Sequence, residues 1–477
     1  MVDVAFVACH GFSVRLILHS GLVEGLQRRG MSVAMLVPEL GSAESARLSD
    51  RYGIDVLELP ALTRLASRHV EFLRRYLFEE VDGNYALLAR HERIMAGPMS
   101  SIKVEVSVYY LANKLTHVFP ALRNGLERAQ RRLYRNGRVA AILESLSPRL
   151  VVSTYPAKPL EGVVLAESAR LGIQTVTQLL SWDNITSKGR FTVLGDRFVT
   201  WGPIMTDEIK EFYGVDDSDI AEVGVPHFDA HMKAATPERI AAELQRLELP
   251  TDRPYVFFGM SSPFTAPTEI DIVEALAEKI NADEFGPDMH LLVRPHPQNL
   301  YGNMADESWV ARLDAIKGPR VAIDYPSIIK GSLPWMMQEE DLLSLGNLLS
   351  GAVVTVNSGS TLSIDAMIHD RPVVVTAFDL GAELPWWQSA SRGIKFTHNS
   401  KLVALKGLRV AGSFDELLTH LKAYIENPQL DKEGRKASRR MECGPCDGRS
   451  VERIADAFQR WLKTTERTTG SRVDDLD

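Results

Sequence analysis

The chain has 477 residues, of which 45% are hydrophobic and 24% charged, and its formal net charge is −8. This length and composition predict a globular protein with two α/β domains. The acidic balance excludes a global basic field for nucleic acid, and no run approaches the roughly 20 apolar residues that span a membrane. Three cysteines leave one unpaired, which excludes a disulfide framework and favours the cytoplasm. The first residues lack a basic region, so we expect no signal peptide.

The start of the chain alternates between strand and helix signals. Val2–Ala8, Met31–Val37 and Asp55–Leu57 are apolar and rich in β-branched residues, with helical stretches between them. This order predicts an open parallel sheet with right-handed crossovers. His10 follows the first strand at the carboxyl edge, where such sheets bind ligands, although it could equally be a turn residue.

A helical insertion is predicted from residue 59 to about 137, where strand signals stop and arginine and aromatic residues accumulate. Helical spacing is present in residues 65–80. It is also present further on, where Arg128, Arg132 and Arg135 recur at i, i+4 and i+7 and are expected to share one face. Beside the tyrosines of this insertion, a basic face could contact an anionic acceptor or lipid headgroups; a solvated helix face is the alternative. These tyrosines are Tyr109, Tyr110 and Tyr134.

A polar loop follows the predicted strand Ile173–Leu179 and should lie at the same sheet edge. Asp183 is a candidate general base there, because a carboxylate can take the proton of an attacking hydroxyl. It could equally cap a turn and order the loop. Three neighbours in the loop are expected to face the acceptor: Trp182, Asn184 and Lys188.

The chain is predicted to divide into a first domain of residues 1–229 and a second of residues 254–440. The first is expected to end with the segment Val223–Asp229, which contains His227 as a lesser site candidate. A polar linker with the breaker Pro250 joins the two domains. Residues 441–464 are expected to form a helix that crosses back between them.

Two motifs of the second domain predict contacts with an anion. Arg294-Pro295-His296-Pro297 ends the predicted strand His290–Arg294, and its prolines fix the backbone that presents the imidazole. Further on, strand Ala352–Val356, turn Asn357–Ser360 and helix Thr361–His369 follow one another. A helix start after such a turn offers unpaired N–H groups and a positive dipole, which favour phosphate.

The residues expected to hold the phosphate share small size or a hydroxyl group. An ordinary helix cap is the alternative for the turn. They are Ser358, Gly359, Ser360 and Thr361, with Ser261 after an equivalent earlier strand.

Cys443-Gly444-Pro445-Cys446 resembles half of a zinc or redox site, but no second cysteine pair exists. This excludes four-thiolate zinc, and no DxD pair stands out either. We therefore expect no essential metal and no cofactor other than an activated substrate.

Two Rossmann-like halves with a phosphate turn late in the second resemble the GT-B glycosyltransferases. The RPHP motif (294–297) and NSGSTLSIDA (357–366) are similar to motifs of bacterial surface-polysaccharide enzymes. These are the CDP-glycerol glycerophosphotransferases of teichoic acid synthesis, capsule Kdo transferases and sialyltransferases with an HP motif. The UDP-GlcNAc 2-epimerases share the fold and the small-residue turn.

The resemblance implies transfer of a sugar or polyol phosphate from a nucleotide-activated donor to a glycan or lipid-linked acceptor. It implies that His296 contacts the donor phosphates or assists the departing nucleotide, and that Arg294 pairs with phosphate or holds the loop. Asp365 would accept from a ribose or orient a neighbour, and His10 is the alternative base to Asp183. The chain lacks the E-x-x-x-x-x-x-E stretch of retaining GT-B enzymes between residues 357 and 370, which leaves the stereochemistry open.

A 2-epimerase and a non-catalytic glycan-binding scaffold are the alternative functions. The long basic insertion favours a transferase, because an epimerase has no polymeric partner to hold. We expect a cytoplasmic enzyme in peripheral contact with the inner face of the membrane through the Arg-rich insertion.

Overall fold

The computed structural model describes residues 1–38, 40–62, 71–77, 81–191, 193–302, 305–329 and 333–468. Within them the chain forms two parallel sheets, each flanked by helices, which confirms the predicted pair of Rossmann-like domains. Most of the helix predicted for residues 65–80 lies outside the described residues. No helix among the described residues is both long and apolar enough to cross a membrane.

The sheet of the first domain has the order β3-β2-β1-β4-β5-β6-β7. Val7 at the end of β1 pairs with Leu36 on one side and with Ser153 on the other. The strand order therefore reverses between β1 and β4, which opens a crevice at their carboxyl ends. The strands are β1 (Val2–Val7), β2 (Val33–Val37), β3 (Asp55–Glu58), β4 (Pro148–Ser153), β5 (Gln174–Gln178), β6 (Arg197–Thr200) and β7 (Ile220–Glu222). The α-helices are Gly11–Val14, Leu22–Arg28, Ser42–Tyr52, Tyr85–Ala96, Ser101–Val118, Pro120–Leu133, Gly137–Leu146, Pro159–Arg170, Asn184–Ser187, Pro203–Tyr213 and Pro226–Ala234, with π-helical turns at Arg15–His19 and Leu73–Leu77.

The sheet of the second domain has the order β10-β9-β8-β11-β12-β13, so its reversal lies between β8 and β11. The strands are β8 (Tyr255–Gly259), β9 (His290–Arg294), β10 (Val321–Ile323), β11 (Val354–Asn357), β12 (Val373–Thr376) and β13 (Arg409–Ala411). The α-helices are Pro237–Arg246, Glu269–Asn281, Pro297–Leu300, Glu307–Ile316, Glu339–Gly351, Leu362–Ile368, Thr397–Ala404, Phe414–Glu426, Lys432–Cys443 and Ser450–Thr468. Strand β13 and helix Lys432–Cys443 were not predicted, because the strand is three residues long and the helix is mostly polar.

The last helix, Ser450–Thr468, returns to the first domain and packs its apolar side into that domain's core. The ring of Phe458 lies 6.2 Å from that of Phe6 on β1. The carboxylate of Asp229 accepts hydrogen bonds from the backbone N–H and the hydroxyl of Ser450, at 2.6 and 3.0 Å. The domain boundary predicted at residue 229 therefore falls inside helix Pro226–Ala234. This helix holds the start of the last helix through the hydrogen bonds between Asp229 and Ser450.

The predicted basic helix face of the insertion is interrupted. Helix Pro120–Leu133 ends before Arg135, so this arginine does not share a helical face with Arg128. The chain turns there because the side chain of Asn136 caps the next helix, accepting from the N–H groups of Arg138 and Val139. Tyr134, expected beside the basic face, is instead buried in the core of the first domain.

Candidate functional site

A cavity of about 200 Å³ lies between the two domains, at the carboxyl ends of β1, β8, β9 and β11. Its place agrees with the rule that parallel sheets bind ligands where the strand order reverses. Both domains and the hinge helix Pro226–Ala234 contribute to its wall. The polar side chains in the wall belong to Arg15, Ser181, His227, Arg294, His296, Asp341, Ser360, Thr361 and Asp365.

His296 is held rigidly with one ring nitrogen free to face the cavity. It caps the short helix Pro297–Leu300, and its Nδ1 accepts a hydrogen bond of 3.0 Å from the N–H of Gln298. Burial lowers the pKa of His296 to about 4. The ring is therefore neutral near pH 7 with its proton on Nε2, which makes it a fixed hydrogen-bond donor.

The turn before helix Leu362–Ile368 uses several of its own donors internally. The side-chain oxygen of Asn357 accepts from the N–H groups of Gly359 and Ser360, both at 2.9 Å. The hydroxyl of Ser358 is buried and bonds to Glu269 and Thr376. The direct phosphate contacts expected of Ser358 and Gly359 are therefore not available in this arrangement, because both residues build the turn rather than line the cavity.

The cavity side of the same turn is formed by Ser360 and Thr361. The hydroxyl of Ser360 is buried and has no hydrogen-bond partner among the described residues. A buried hydroxyl that lines a cavity without a partner of its own is suited to bind a ligand oxygen. The candidate anion contacts are therefore Ser360, which ends the turn, and Thr361, which follows it, rather than Ser358 and Gly359.

Arg294 lines the cavity but has its guanidinium engaged within the protein, whereas Ser261 lies outside the cavity wall. The guanidinium of Arg294 donates to Asp324 and, at 2.6 Å, to Asp341, which leaves both terminal nitrogens engaged. Of the two roles implied for this arginine, the geometry supports holding the loop. Ser261 is buried outside the cavity wall, and its N–H donates to Glu269 at 2.6 Å.

Three charged or aromatic groups meet where the hinge helix, the first domain and the second domain join. Nη2 of Arg15 donates to Nε2 of His231 at 3.2 Å and lies 3.9 Å from Asp365. The other ring nitrogen of His231 lies 3.4 Å from the same carboxylate. Burial raises the pKa of Asp365 to about 6, and the charge of Arg15 opposes this shift.

Arg15 and His231 were missed by the sequence analysis. Arg15 follows His10 by slightly more than one helical turn, so its position just after β1 was the signal that could have revealed it. Nothing in the local sequence marks His231, which reaches the site through the path of the hinge helix.

His10 lies beside the cavity without lining it. Its Nδ1 accepts from the N–H of Phe12 at 3.2 Å, and its ring lies 6.0 Å from that of Tyr155. Burial, followed by the charges of Lys158 and Lys188, lowers the pKa of His10 to about 3. The imidazole is therefore neutral near pH 7 but a weak base.

The loop predicted to face the acceptor is held together largely by Asp183. This carboxylate accepts from the hydroxyls of Ser181 and Ser187, both at 2.6 Å, and pairs with Lys188 at 2.8 Å. Burial alone would raise the pKa of Asp183, but the charge of Lys188 and these hydrogen bonds hold it well below its usual range. The arrangement supports the turn-ordering alternative, while a role as base stays a prediction.

Trp182 and Asn184 are also buried in this loop and do not line the cavity. The ring of Trp182 lies 4.9 Å from His398 of the second domain, and the amide of Asn184 donates to Asp183 at 3.2 Å. Ser181 is the polar member of the loop that reaches the cavity. Of the residues predicted for the site, the structure therefore brings together His227, Arg294, His296, Ser360, Thr361 and Asp365.

Metal binding has no support among the described residues, where no group of three or more His, Cys, Asp or Glu side chains could hold an ion. Metal independence of the reaction stays a prediction.

Residues 135–459 match the protein family described as CDP-glycerol:poly(glycerophosphate) glycerophosphotransferase. The match covers more than half of the chain. The chain belongs to this family. The protein is therefore a transferase that uses a nucleotide-activated donor, as the motifs predicted. The match begins near the end of the insertion, so His10 and Arg15 lie outside it.

Solved structures of the same fold include both transferases and epimerases. The wall teichoic acid polymerase TagF is 12% identical, with a TM-score of 0.50 over 97% of this chain and 89% of that one. The complex of S. aureus MnaA with UDP is 11% identical, with a TM-score of 0.58 over 97% of each chain. A putative UDP-N-acetylglucosamine 2-epimerase from Listeria monocytogenes is 12% identical, with a TM-score of 0.56 over 100% of this chain and 98% of that one.

These structural similarities establish the fold alone, and the GT-B prediction is confirmed. Among curated proteins, no sequence matches the chain. Membership of the glycerophosphotransferase family makes the 2-epimerase alternative the weaker one.

Proposed function

We propose that this transferase moves a polyol phosphate from a cytidine diphosphate donor to a hydroxyl of a glycan or lipid-linked acceptor. The observation that carries the proposal is the cavity between the domains, where a neutral imidazole donor, a partnerless hydroxyl and a guanidinium converge. The family described for residues 135–459 makes the cytidine diphosphate polyol the first donor to test. A nucleotide sugar bound in the same way is the second.

In this proposal the donor phosphates contact Ser360, Thr361 and Nε2 of His296. The acceptor oxygen forms a bond to the distal phosphorus while the bond to the bridging oxygen breaks, so the nucleoside monophosphate departs. Negative charge grows on the departing phosphate, where fixed donors that need no reorganisation contribute most. The guanidinium of Arg15, which lines the cavity, adds a positive charge close to these groups.

The proton of the acceptor hydroxyl needs a base, for which His10 and Asp183 were the predicted candidates. Neither lines the cavity, and both are weak bases in this structure. Asp365 does line the cavity, and its pKa is about 6. Its Oδ1 lies near Arg15 and His231 but accepts no hydrogen bond from the residues that the structure describes. We therefore add Asp365 to the candidates for the base.

The donor is tested by thermal shift with CDP, CMP, UDP and GDP, followed by turnover assays with CDP-glycerol. Stabilisation follows the ratio of ligand concentration to Kd, so a cytidine-specific shift identifies the donor nucleotide. Arg15→Gln should weaken cytidine nucleotide binding by roughly tenfold, as expected for loss of a charge-assisted contact. Arg15→Lys should recover little, because an ammonium group lacks the planar fork.

Three results would count against the proposal. The first is a thermal shift of the same size with cytidine, uridine and guanosine nucleotides. The second is an unchanged nucleotide affinity in Arg15→Gln. The third is the formation of an epimer from a nucleotide sugar in the absence of an acceptor. The last would restore the epimerase alternative.

The acceptor side of the proposal extends to the insertion. On helix Pro120–Leu133 the side chain of Arg128 is exposed and that of Arg123 half-exposed, and we propose that they bind an anionic acceptor or lipid headgroups. We propose peripheral contact with the inner face of the membrane through this region, as the sequence predicted.

A further inference from the structure

Three arginine side chains surround one aromatic ring where the insertion contacts the second domain. The ring belongs to Phe264, in the loop that follows β8, and Arg90 and Arg93 reach it from helix Tyr85–Ala96. Their guanidinium carbons lie 5.9 and 4.8 Å from the ring centre, and that of Arg392, in the second domain, lies 5.4 Å from it. We call Arg90, Arg93 and Arg392 the arginine cluster. Both sides of the contact thus contribute positive charge to it.

Among the described residues, no carboxylate forms an ion pair with the arginine cluster. The guanidinium groups of Arg90 and Arg93 donate no hydrogen bond within this part of the chain. Arg392 donates to three main-chain carbonyl groups, and its Nε is buried without a partner there. Asp379, an acid whose charge acts on Arg392, accepts instead from the N–H of Ala390 at 3.1 Å. Like charges held together without a counter-charge repel one another, and an anion bound among them would relieve this repulsion.

The surroundings destabilise the charged form of two members of the cluster. Burial lowers the pKa of Arg392 to about 10. Burial and then the charge of Arg75 lower the pKa of Arg90 to about 10 as well. Glu71 opposes the shift in Arg90, but its carboxylate is paired with Arg75. Both guanidinium groups stay protonated near pH 7, so an anion among them would gain attraction from charges that water screens little.

The arginine cluster lies beside the cavity without lining it. Met260, at the start of the loop that follows β8, lines the cavity. Tyr155 acts on the pKa of Arg90, and its ring lies 6.0 Å from that of His10. Burial and then the charge of Lys158 lower the pKa of His10, and Lys158 forms no ion pair among the described residues. Positive charge therefore extends from the arginine cluster to the edge of the cavity.

The chemistry of the cluster favours phosphate as its ligand. A guanidinium group is a planar fork whose hydrogen bonds to phosphate oxygens are charge-assisted. Arg93 is exposed, so a ligand can reach the cluster from solvent. The donor phosphates are proposed to bind Ser360, Thr361 and His296, none of which belongs to the cluster. A phosphate bound at the cluster therefore belongs to the other substrate.

We propose that the arginine cluster binds a phosphate group of the acceptor and thereby directs the acceptor hydroxyl toward the cavity. The acceptor is then one that carries phosphate close to the attacking hydroxyl, such as a polyol phosphate, rather than a neutral glycan. This inference rests on the proposed function, because it assumes that the donor phosphates occupy the cavity.

The test measures the binding of two soluble probes to the full chain in the presence of CDP, by isothermal titration calorimetry. The probes are a tetramer of glycerol phosphate and uncharged tetraglycerol, and the wild type should bind the tetramer alone. Arg93→Gln should weaken binding of the tetramer by roughly tenfold, as expected for loss of one charge-assisted contact. Arg93→Lys should lie between the two, because an ammonium group keeps the charge without the planar fork.

Arg28→Gln is the matched control. Arg28 is exposed on helix Leu22–Arg28, does not line the cavity and forms no ion pair among the described residues. This variant should bind the tetramer like the wild type, and an equal loss in Arg28→Gln would mean that net charge alone controls binding, which would overturn the proposal.

Phe264→Leu separates anion binding from attachment of the insertion. It removes the ring but keeps all three guanidinium groups, so most of the affinity for the tetramer should remain. Arginines that served only to attach the insertion through cation–π contacts would depend on the ring. A loss in Phe264→Leu as large as that in Arg93→Gln would therefore overturn the proposal.

The affinity for CDP shows which substrate carries the phosphate. Arg93→Gln should leave this affinity unchanged, and an equal loss for CDP and the tetramer would assign the cluster to the donor. Binding of tetraglycerol as tight as that of the tetramer, or no binding of the tetramer by the wild type, would also overturn the proposal. Failure of the proposed function is distinguishable, because it appears in the wild type as a thermal shift without preference for cytidine nucleotides.

Discussion

At the scale of single residues, the structure separates side chains that face the ligand from side chains that hold the loops. His296 does both, because one ring nitrogen caps a helix while the other remains available to the cavity. Arg294 and Asp183 have the chemistry expected of site residues, but their charges are satisfied within the protein. A charged residue at the end of a parallel strand is therefore a candidate whose role depends on what else lies within hydrogen-bonding distance.

Substitution of His296 should separate its two roles. His296→Asn keeps an oxygen able to cap the helix but removes the Nε2 donor, so turnover should fall by roughly 100-fold with little loss of stability. His296→Ala should lose the same activity and also about 1 kcal/mol of stability, because the cap is lost as well. Steady-state kinetics and urea unfolding measure the two effects. Near-normal turnover in His296→Asn with a true donor would show that the imidazole does not contact the reacting phosphates.

At the scale of elements, the segment that follows β1 determines how closely the two domains pack against each other. The N–H of Gly11 donates to the carbonyl of Pro334 at 2.9 Å, and a Cβ atom at Gly11 would lie 2.2 Å from the backbone nitrogen of Met336. Both neighbours are backbone atoms, which cannot move aside as a side chain could. This glycine is needed for close approach rather than for an unusual backbone conformation.

Gly11→Ala should push the domains apart and destabilise the protein by about 1–3 kcal/mol, the usual cost of overpacking. Donor affinity should fall too, because cavity residues of both domains would separate. Gly137→Ala is the matched control, since a Cβ atom there meets nothing within 4 Å and the residue begins a helix. Thermal unfolding and nucleotide titration of both variants provide the measurement. Equal behaviour of the two variants would mean that the domain contact at Gly11 is adaptable.

At the scale of the whole molecule, buried ionisable groups determine how stability depends on pH. Burial lowers the pKa of several histidines from 6.5, so the folded state stays neutral where the unfolded state binds a proton. They are His10, with a pKa of about 3, and His19, His296, His369 and His398, each about 4. Their contribution to stability is complete above pH 6.5 and is lost as the pH falls toward 4. Burial acts oppositely on Glu269 and Glu442, raising each pKa from 4.5 to about 8, so their contribution is lost as the pH rises toward 8.

We therefore expect the free energy of unfolding to be greatest between about pH 6 and 7 and to fall on both sides. Between pH 4.5 and 6.5 the histidines and the glutamates have opposite effects on the free energy of unfolding. The histidines are more numerous, so this free energy rises with pH over that range. Above pH 6.5 the histidines no longer contribute a slope, so the two glutamates decide the alkaline decline. Thermal unfolding at half-unit pH steps from 4.5 to 8.5 measures this profile. Glu269→Gln should flatten the alkaline side, and a midpoint that rises steadily toward pH 5 would contradict the assignment.

The local sequence determined much of the fold and part of the site. Apolar runs with β-branched residues predicted strands such as Val2–Ala8, Ile173–Leu179 and His290–Arg294 to within one or two residues, because a strand buried on both faces must be apolar throughout. The order of strand, turn and helix located the turn at residues 357–360, and two prolines marked His296. These features depend on neighbours in the chain, so the sequence alone could specify them.

Tertiary structure decided which polar groups remain available to a ligand. The hydroxyl of Ser358 is taken by Glu269, 89 residues away, and Arg294 is taken by Asp324 and Asp341. The guanidinium of Arg15 donates a hydrogen bond to His231, which lies on helix Pro226–Ala234, 216 residues further along the chain. A polar side chain is available to a ligand when no distant segment of the chain forms a hydrogen bond or ion pair with it. The local sequence does not show which distant residues the fold brings within hydrogen-bonding distance.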